Sequence, residues 1–208
     1  MTASPNDVPD FQLVLPDGWT RIRPDLAGEQ EAIKRASAAL RRYARPDLDF
    51  EFRLLLKSAF RRLEESRAVA LFVPTDLPGD SVLPMSITAS VLVDPAGGTL
   101  DAAVSDLFRG GATMLGDDTS VVRWERSVRG SAELQGADVD QLNYLIPIPG
   151  SGRRRGLLFS TSILLDPEAS SASDADADGV DAVAGMRLLS DAIIATFAWR
   201  IPAGGRHD

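Results

Sequence analysis

Catalysis needs a side chain that can carry a proton, offer an electron pair or hold a metal ion, and the supply here is narrow: one His, no Cys, and 30 Asp and Glu among 208 residues. Thiol catalysis, cysteine zinc sites, disulfide scaffolds and c-type haem attachment all require sulfur, so composition excludes them. His207 stands in the run Gly204-Gly205-Arg206-His207-Asp208. A fraying segment cannot hold an imidazole in a fixed geometry, which removes the Ser-His-Asp relay and multi-His metal sites.

The carboxylates and arginines remain. Asp174-Ala175-Asp176-Ala177-Asp178-Gly179 copies the first half of a calcium loop, but position 9 is Ala182 and position 12, which should supply a bidentate carboxylate, is Gly185. No metal and no cofactor is expected. Gly150-Ser151-Gly152-Arg153-Arg154-Arg155-Gly156 has the look of a phosphate-binding loop, yet it fits neither glycine-rich pattern and lies between two strands, with no helix N-terminus behind it. Its three arginines are the candidate contact for an acidic partner. The pairs Asp117-Asp118 and Glu64-Glu65 are adjacent in sequence, which does not put two carboxyls across a cleft.

The elements that must carry these groups follow from period and punctuation. Residues 1–10 are polar, hold Pro5 and Pro9, and read as a disordered arm. Phe11 to Leu15 and Trp19 to Arg23 read as short extended pieces around a Pro16-Asp17-Gly18 turn. Helical spacing over 25–66, broken at Arg45-Pro46-Asp47, predicts a helical hairpin; its second helix carries Leu48, Phe52, Leu55, Ala59 and Leu63 on one stripe, widened by Leu56 and Phe60. Alternation predicts strands at 69–73, 86–93, 120–129, 141–148 and 156–165, with a short helix from a Thr99 cap to Phe108. Pro147 and Pro149 require the strand at 141–148 to lie at an edge or end early. The acidic run 167–179 reads as a mobile loop, 180–199 as a closing helix, and 200–208 as a disordered tail. The sum is one α+β domain over 11–199: a single antiparallel sheet of about five to seven strands, with the helical hairpin and a C-terminal helix packed on it.

If Ile87, Val91, Val122, Trp124, Leu142, Tyr144, Leu157 and Phe159 face the core, the opposite face shows Ser86, Thr88, Ser90, Arg123, Glu125, Ser127, Asn143, Ser160 and Ser162. Arg123, Glu125, Asn143 and Ser160 then define a polar groove for a small ligand, or for carboxylate-dependent hydrolysis. The three tryptophans, Trp19, Trp124 and Trp199, read as core or core-edge packing.

Charge narrows the partners. A net charge of −8 opposes nucleic-acid binding, and no run is long and apolar enough to cross a bilayer, so a cytoplasmic protein is expected. The charge is uneven: residues 21–67 carry a balance of +4 and residues 166–181 one of −6.

The opening Phe11-Gln-Leu-Val-Leu-Pro-Asp-Gly-Trp19, followed by helices, antiparallel strands and a closing helix, resembles the PsbP-type α+β fold, whose members often begin with an extended Pro-x-Gly-Trp segment. The chain is also similar to uncharacterised Ala/Arg-rich actinobacterial proteins, some of which lie near type VII secretion components. The likeness spans about residues 11–199, and its local motif is Leu15-Pro16-Asp17-Gly18-Trp19. It implies a non-catalytic accessory or binding module. The expectation is a non-enzymatic domain that holds a protein partner, in a secretion-associated setting, by its basic hairpin, an edge strand or Arg153, Arg154 and Arg155. The small-ligand or hydrolase groove is the alternative.

Overall fold

The computed structural model describes residues 8–42, 49–77, 83–116, 118–130, 138–165 and 177–200. The arm at 1–7, most of the acidic run and the tail from 201 lie outside the described residues. The elements are β1 (Phe11–Gln12), β2 (Trp19–Ile22), α1 (Leu26–Arg42), α2 (Asp49–Glu65), β3 (Ala68–Pro74), β4 (Met85–Val93), α3 (Asp101–Arg109), β5 (Thr113–Leu115), β6 (Asp118–Val128), β7 (Asp138–Pro147), β8 (Arg155–Leu165), α4 (Ala177–Ala195) and β9 (Ala198–Trp199). Seven strands form one sheet in the order β2-β3-β4-β8-β7-β6-β5, with every neighbouring pair antiparallel; β1 and β9 make a separate two-stranded ribbon. This is the α+β arrangement that the alternation and the helical spacing predict.

The alternating strands put one set of side chains on a common face: Phe72, Ile87, Ala89, Phe159, Ile163, Leu142 and Tyr144, all buried. Met186, Ser190, Ile193 and Ile194 recur at helical spacing on α4 and cover that face. The β1–β9 ribbon closes its end. There Phe11, Phe159, Phe197 and Trp199 pack largely edge to face, with ring centroids 4.9 to 6.2 Å apart. This aromatic knot explains why Phe11 pairs with Trp199 and not with β2, as a hairpin reading of the opening segment would have it.

The Pro16-Asp17-Gly18 turn forms as its residues dictate. Trp19 N donates to the Pro16 carbonyl, and Gly18 takes a φ of +81°. A Cβ at Gly18 would stand 2.3 Å from the Asp76 carbonyl oxygen, so glycine is required twice over, by dihedral and by space. β7 is a central strand and stops at Pro147, the early ending that its prolines demand.

The helices depart from expectation in detail. α4 begins at Ala177, inside the run read as a loop, and ends at Ala195, so Phe197 and Trp199 lie beyond it. α3 begins without a side-chain cap; the Thr99 hydroxyl donates to the Asp101 carboxylate at 3.1 Å and accepts no backbone N–H of the helix. On α2 only Phe60 is fully buried, while Phe52, Leu55 and Ala59 of the predicted inward stripe are exposed. The hairpin packs along one margin of the sheet, at β2 and β3, and offers α2 too little surface to cover a stripe that wide. Arg53 ties the two helices by donating to Asp49 at 2.7 Å and to the buried Ser37 hydroxyl at 3.1 Å.

Candidate functional site

Arg123, Glu125, Asn143 and Ser160 do not converge. In the β6–β7 pair Arg123 lies opposite Tyr144 and Trp124 opposite Asn143, so β6 has the reverse of the expected register. Arg123 and Glu125 point to the α4 side, whereas Asn143 and Ser160 lie on the far face with Trp124. The reason is energetic. An arginine on the α4 side meets two carboxylates, through Nε and Nη2, and Val122 and Trp124 find apolar cover under α3.

On the α4 side the charges pair with one another, while the buried Arg187 Nε is left without a hydrogen-bond partner among the described residues. Arg123 Nε donates to Asp191 Oδ1 at 2.7 Å and its Nη2 to Glu125 Oε1 at 2.8 Å. Burial works against the guanidinium charge, but these bonds outweigh it and hold Arg123 more firmly protonated than a free arginine. Tyr144 donates to the same Asp191 oxygen at 2.7 Å, and its hydroxyl also meets Ser190 Oγ at 2.8 Å, which in turn meets Thr161. Burial first, then the Asp191 carboxylate, pushes the phenol well above its ordinary range. Arg187 bonds Asp140, which also accepts from Ser127 at 2.7 Å. Burial raises the Asp140 carboxyl, but the Ser127 and Arg187 bonds prevail and leave it below the ordinary carboxylate range. Asp140 therefore stays ionised at neutral pH, and the network works as a clamp that fastens α4 to β6 and β7. Among the described residues no group of three His, Cys, Asp or Glu is placed to hold a metal ion.

Arg153, Arg154 and Arg155 are also separated. Arg153 takes a φ of +62°, sits 3.3 Å from Asp101 of α3, and its carbonyl accepts from Leu100 N. Arg155 is half-buried inside β8, opposite Val93. Arg153 and Arg154 are both exposed, so the tip presents two arginines, with Arg155 drawn back into the strand.

Two surfaces are more prominent, the first of them on the helical hairpin expected to hold a partner. On α2, Phe50, Phe52, Leu54 and Leu55 are 70, 43, 53 and 49% exposed within six consecutive residues. Arg53, Lys57, Arg61 and Arg62 stand among and beyond them. The sequence does hold the signal: apolar residues at 50, 52, 54, 55, 56, 60 and 63 cover more than one side of a helix, and a helix in a surface hairpin has only one side to bury.

The second surface is a groove of about 700 Å³ between α3 and the far face of the sheet, floored by Leu92, Trp124 and Leu158 and walled by Leu107, Asp106 and Thr113. α3 fully buries none of its side chains, although Val104 and Leu107 lean toward this floor. Beyond the groove runs the polar stripe of Thr88, Ser160 and Asn143, where Ser160 donates to Asn143 Oδ1 at 2.8 Å and Asn143 is only 7% exposed.

No family model matches the chain, and no curated protein does. Two solved structures are similar in shape. One is a crystal structure from Bacteroides thetaiotaomicron VPI-5482, 11% identical, with a TM-score of 0.45 over 98% of this chain and 49% of that one. The other is a mutant form of the protein Mog1, 16% identical, with a TM-score of 0.37 over 62% of this chain and 78% of that one. The chain thus spans about half the length of the Bacteroides protein. Among the described residues no helix is long and apolar enough to cross a membrane.

Proposed function

We propose that the chain is a non-enzymatic accessory domain that holds another protein on the exposed apolar surface of α2, in the secretion-associated setting that the likeness to Ala/Arg-rich actinobacterial proteins implies. The exposed run Phe50, Phe52, Leu54 and Leu55 carries this reading. These four large apolar side chains span a wide arc of the helix, Phe50 and Phe52 at its margins and Leu54 and Leu55 between them, and exposed apolar surface of that extent marks an interaction site. The closed hydrogen bonding of Arg123, Asp191 and Tyr144 supports a structural role for that cluster over a reactive one.

The test is site-specific cross-linking in the native host. A photoreactive benzophenone amino acid is placed at position 54 or, as a control, at 188, where Leu188 is exposed away from the patch. The reading requires one defined protein adduct from position 54 that is absent from position 188. Equal labelling from both positions, or none from 54, contradicts it.

A further inference from the structure

At the opposite side of the sheet the outer edge of β6 is only partly paired. Here β5 pairs with β6 only as far as Thr113 opposite Arg123. Before Thr113 the chain leaves the edge because Gly111, at φ +96°, turns it up into α3. Among the described residues nothing pairs with the outer side of Trp124–Val128, so every second residue of this stretch aims its backbone N–H and C=O groups at solvent. Glu125, Arg126 and Ser127 along this edge are exposed, so its charges restrict which strand can pair there.

Trp124 and Arg126 share the far face, at the mouth of the groove under α3. Glu125 on the other face is engaged by Arg123 and lies 3.8 Å from Arg187, but Arg126 has no carboxylate partner among the described residues. These features select the chemistry of an incoming strand. A residue opposite Trp124 would drop its side chain into the apolar groove, and a residue opposite Arg126 would meet an unpaired cation. A second copy fits poorly. In the two-fold pairing that uses all five residues, Arg126 would face its own counterpart.

We propose that Trp124–Val128 accepts an extended peptide segment of a partner protein as an antiparallel eighth strand, in line with β5, with an acidic residue opposite Arg126 and a large aliphatic residue opposite Trp124. Read from its own N-terminus, such a segment carries acidic–x–aliphatic. The backbone edge supplies affinity; Arg126 and the groove supply register and selectivity. This surface is separate from α2, so either reading can fail alone.

The probes are the hexapeptide acetyl-Val-Thr-Asp-Lys-Leu-Thr-amide and its counterpart with Lys in place of Asp, titrated into the ¹⁵N-labelled full chain. The proposal expects saturable binding of the Asp peptide with Kd below about 1 mM, amide shifts centred on Trp124–Val128 and the Trp124 indole, and alternate amides of that stretch exchanging at least about tenfold more slowly at saturation. Arg126→Glu, an exposed substitution that leaves the fold intact, should lose about tenfold affinity for the Asp peptide and prefer the Lys peptide. No saturable binding, shifts centred on another element, unchanged exchange, or an Arg126→Glu variant that treats both peptides alike would each overturn it. A free protein that sediments as a dimer dissociated by Arg126→Glu would also overturn it, since the edge would then belong to a second copy.

Discussion

Tyr144 donates its hydroxyl proton to Asp191 Oδ1 at 2.7 Å, the oxygen that Arg123 also holds. One carboxylate oxygen thus receives two donors from two neighbouring strands, and α4 is set on the sheet by that junction. Tyr144→Phe removes one donor and leaves Ser190 Oγ short of a partner in a buried site. The expected cost is ~1–3 kcal/mol, read as a fall of several degrees in Tm on a domain of this size. An unchanged melting curve would show that the junction is incidental.

Asp140 sets an acid limit. Its folded-state value is depressed, so the stability it confers is complete above the unfolded carboxylate value, about 3.9, and is lost as pH falls through the folded value. Urea midpoints should therefore vary little between neutrality and about pH 5 and drop below about pH 4. Asp140→Asn should cost roughly 1–3 kcal/mol at pH 7 and flatten the acid limb. An acid limb as steep as that of the parent chain would contradict this assignment.

The two faces of α2 should respond oppositely. Phe60→Ala empties a buried position and is expected to cost about 3–5 kcal/mol. Phe50→Ser and Leu54→Ser remove exposed side chains and should change stability by no more than ~0.5 kcal/mol each. Paired denaturant titrations check this. Comparable losses at positions 50 and 60 would mean that the outer face is covered within the chain.

Gly18→Ala tests the opening turn. Its φ of +81° and the Asp76 carbonyl 2.3 Å from the new methyl group leave no relaxed conformation. A loss of more than about 1 kcal/mol is expected, accompanied by disturbed pairing between Trp19 and Pro74. Wild-type stability would contradict it.

Strand faces were legible wherever one set of residues was plainly apolar. In β4 the run Met85, Ile87, Ala89, Val91 leaves a single choice, and the buried face follows it. β6 offers two sets: Val121 with Arg123, Glu125 and Ser127, or Val122 with Trp124, Arg126 and Val128. Hydropathy favours burying the second set against α4. The long-range bonds from Arg123 to Asp191 and from Ser127 to Asp140, together with the shelter of α3, decide for the first. The β1–β9 pair and the three-residue β5 escape periodicity for another reason, since strands this short are fixed by their tertiary partners. The candidate groove was lost with the β6 register, and the exposed surface of α2 was lost because the inward stripe was drawn through Phe52 and Leu55 while Phe50 and Leu54 were left unplaced.

The most direct measurement of the partner-binding account is the affinity of the protein cross-linked from position 54 for the intact chain and for the Phe50→Ser, Leu54→Ser double variant. The account predicts at least about a tenfold weakening, with Tm and the Trp124–Val128 amide signals unchanged. Equal affinity for the two forms would contradict it.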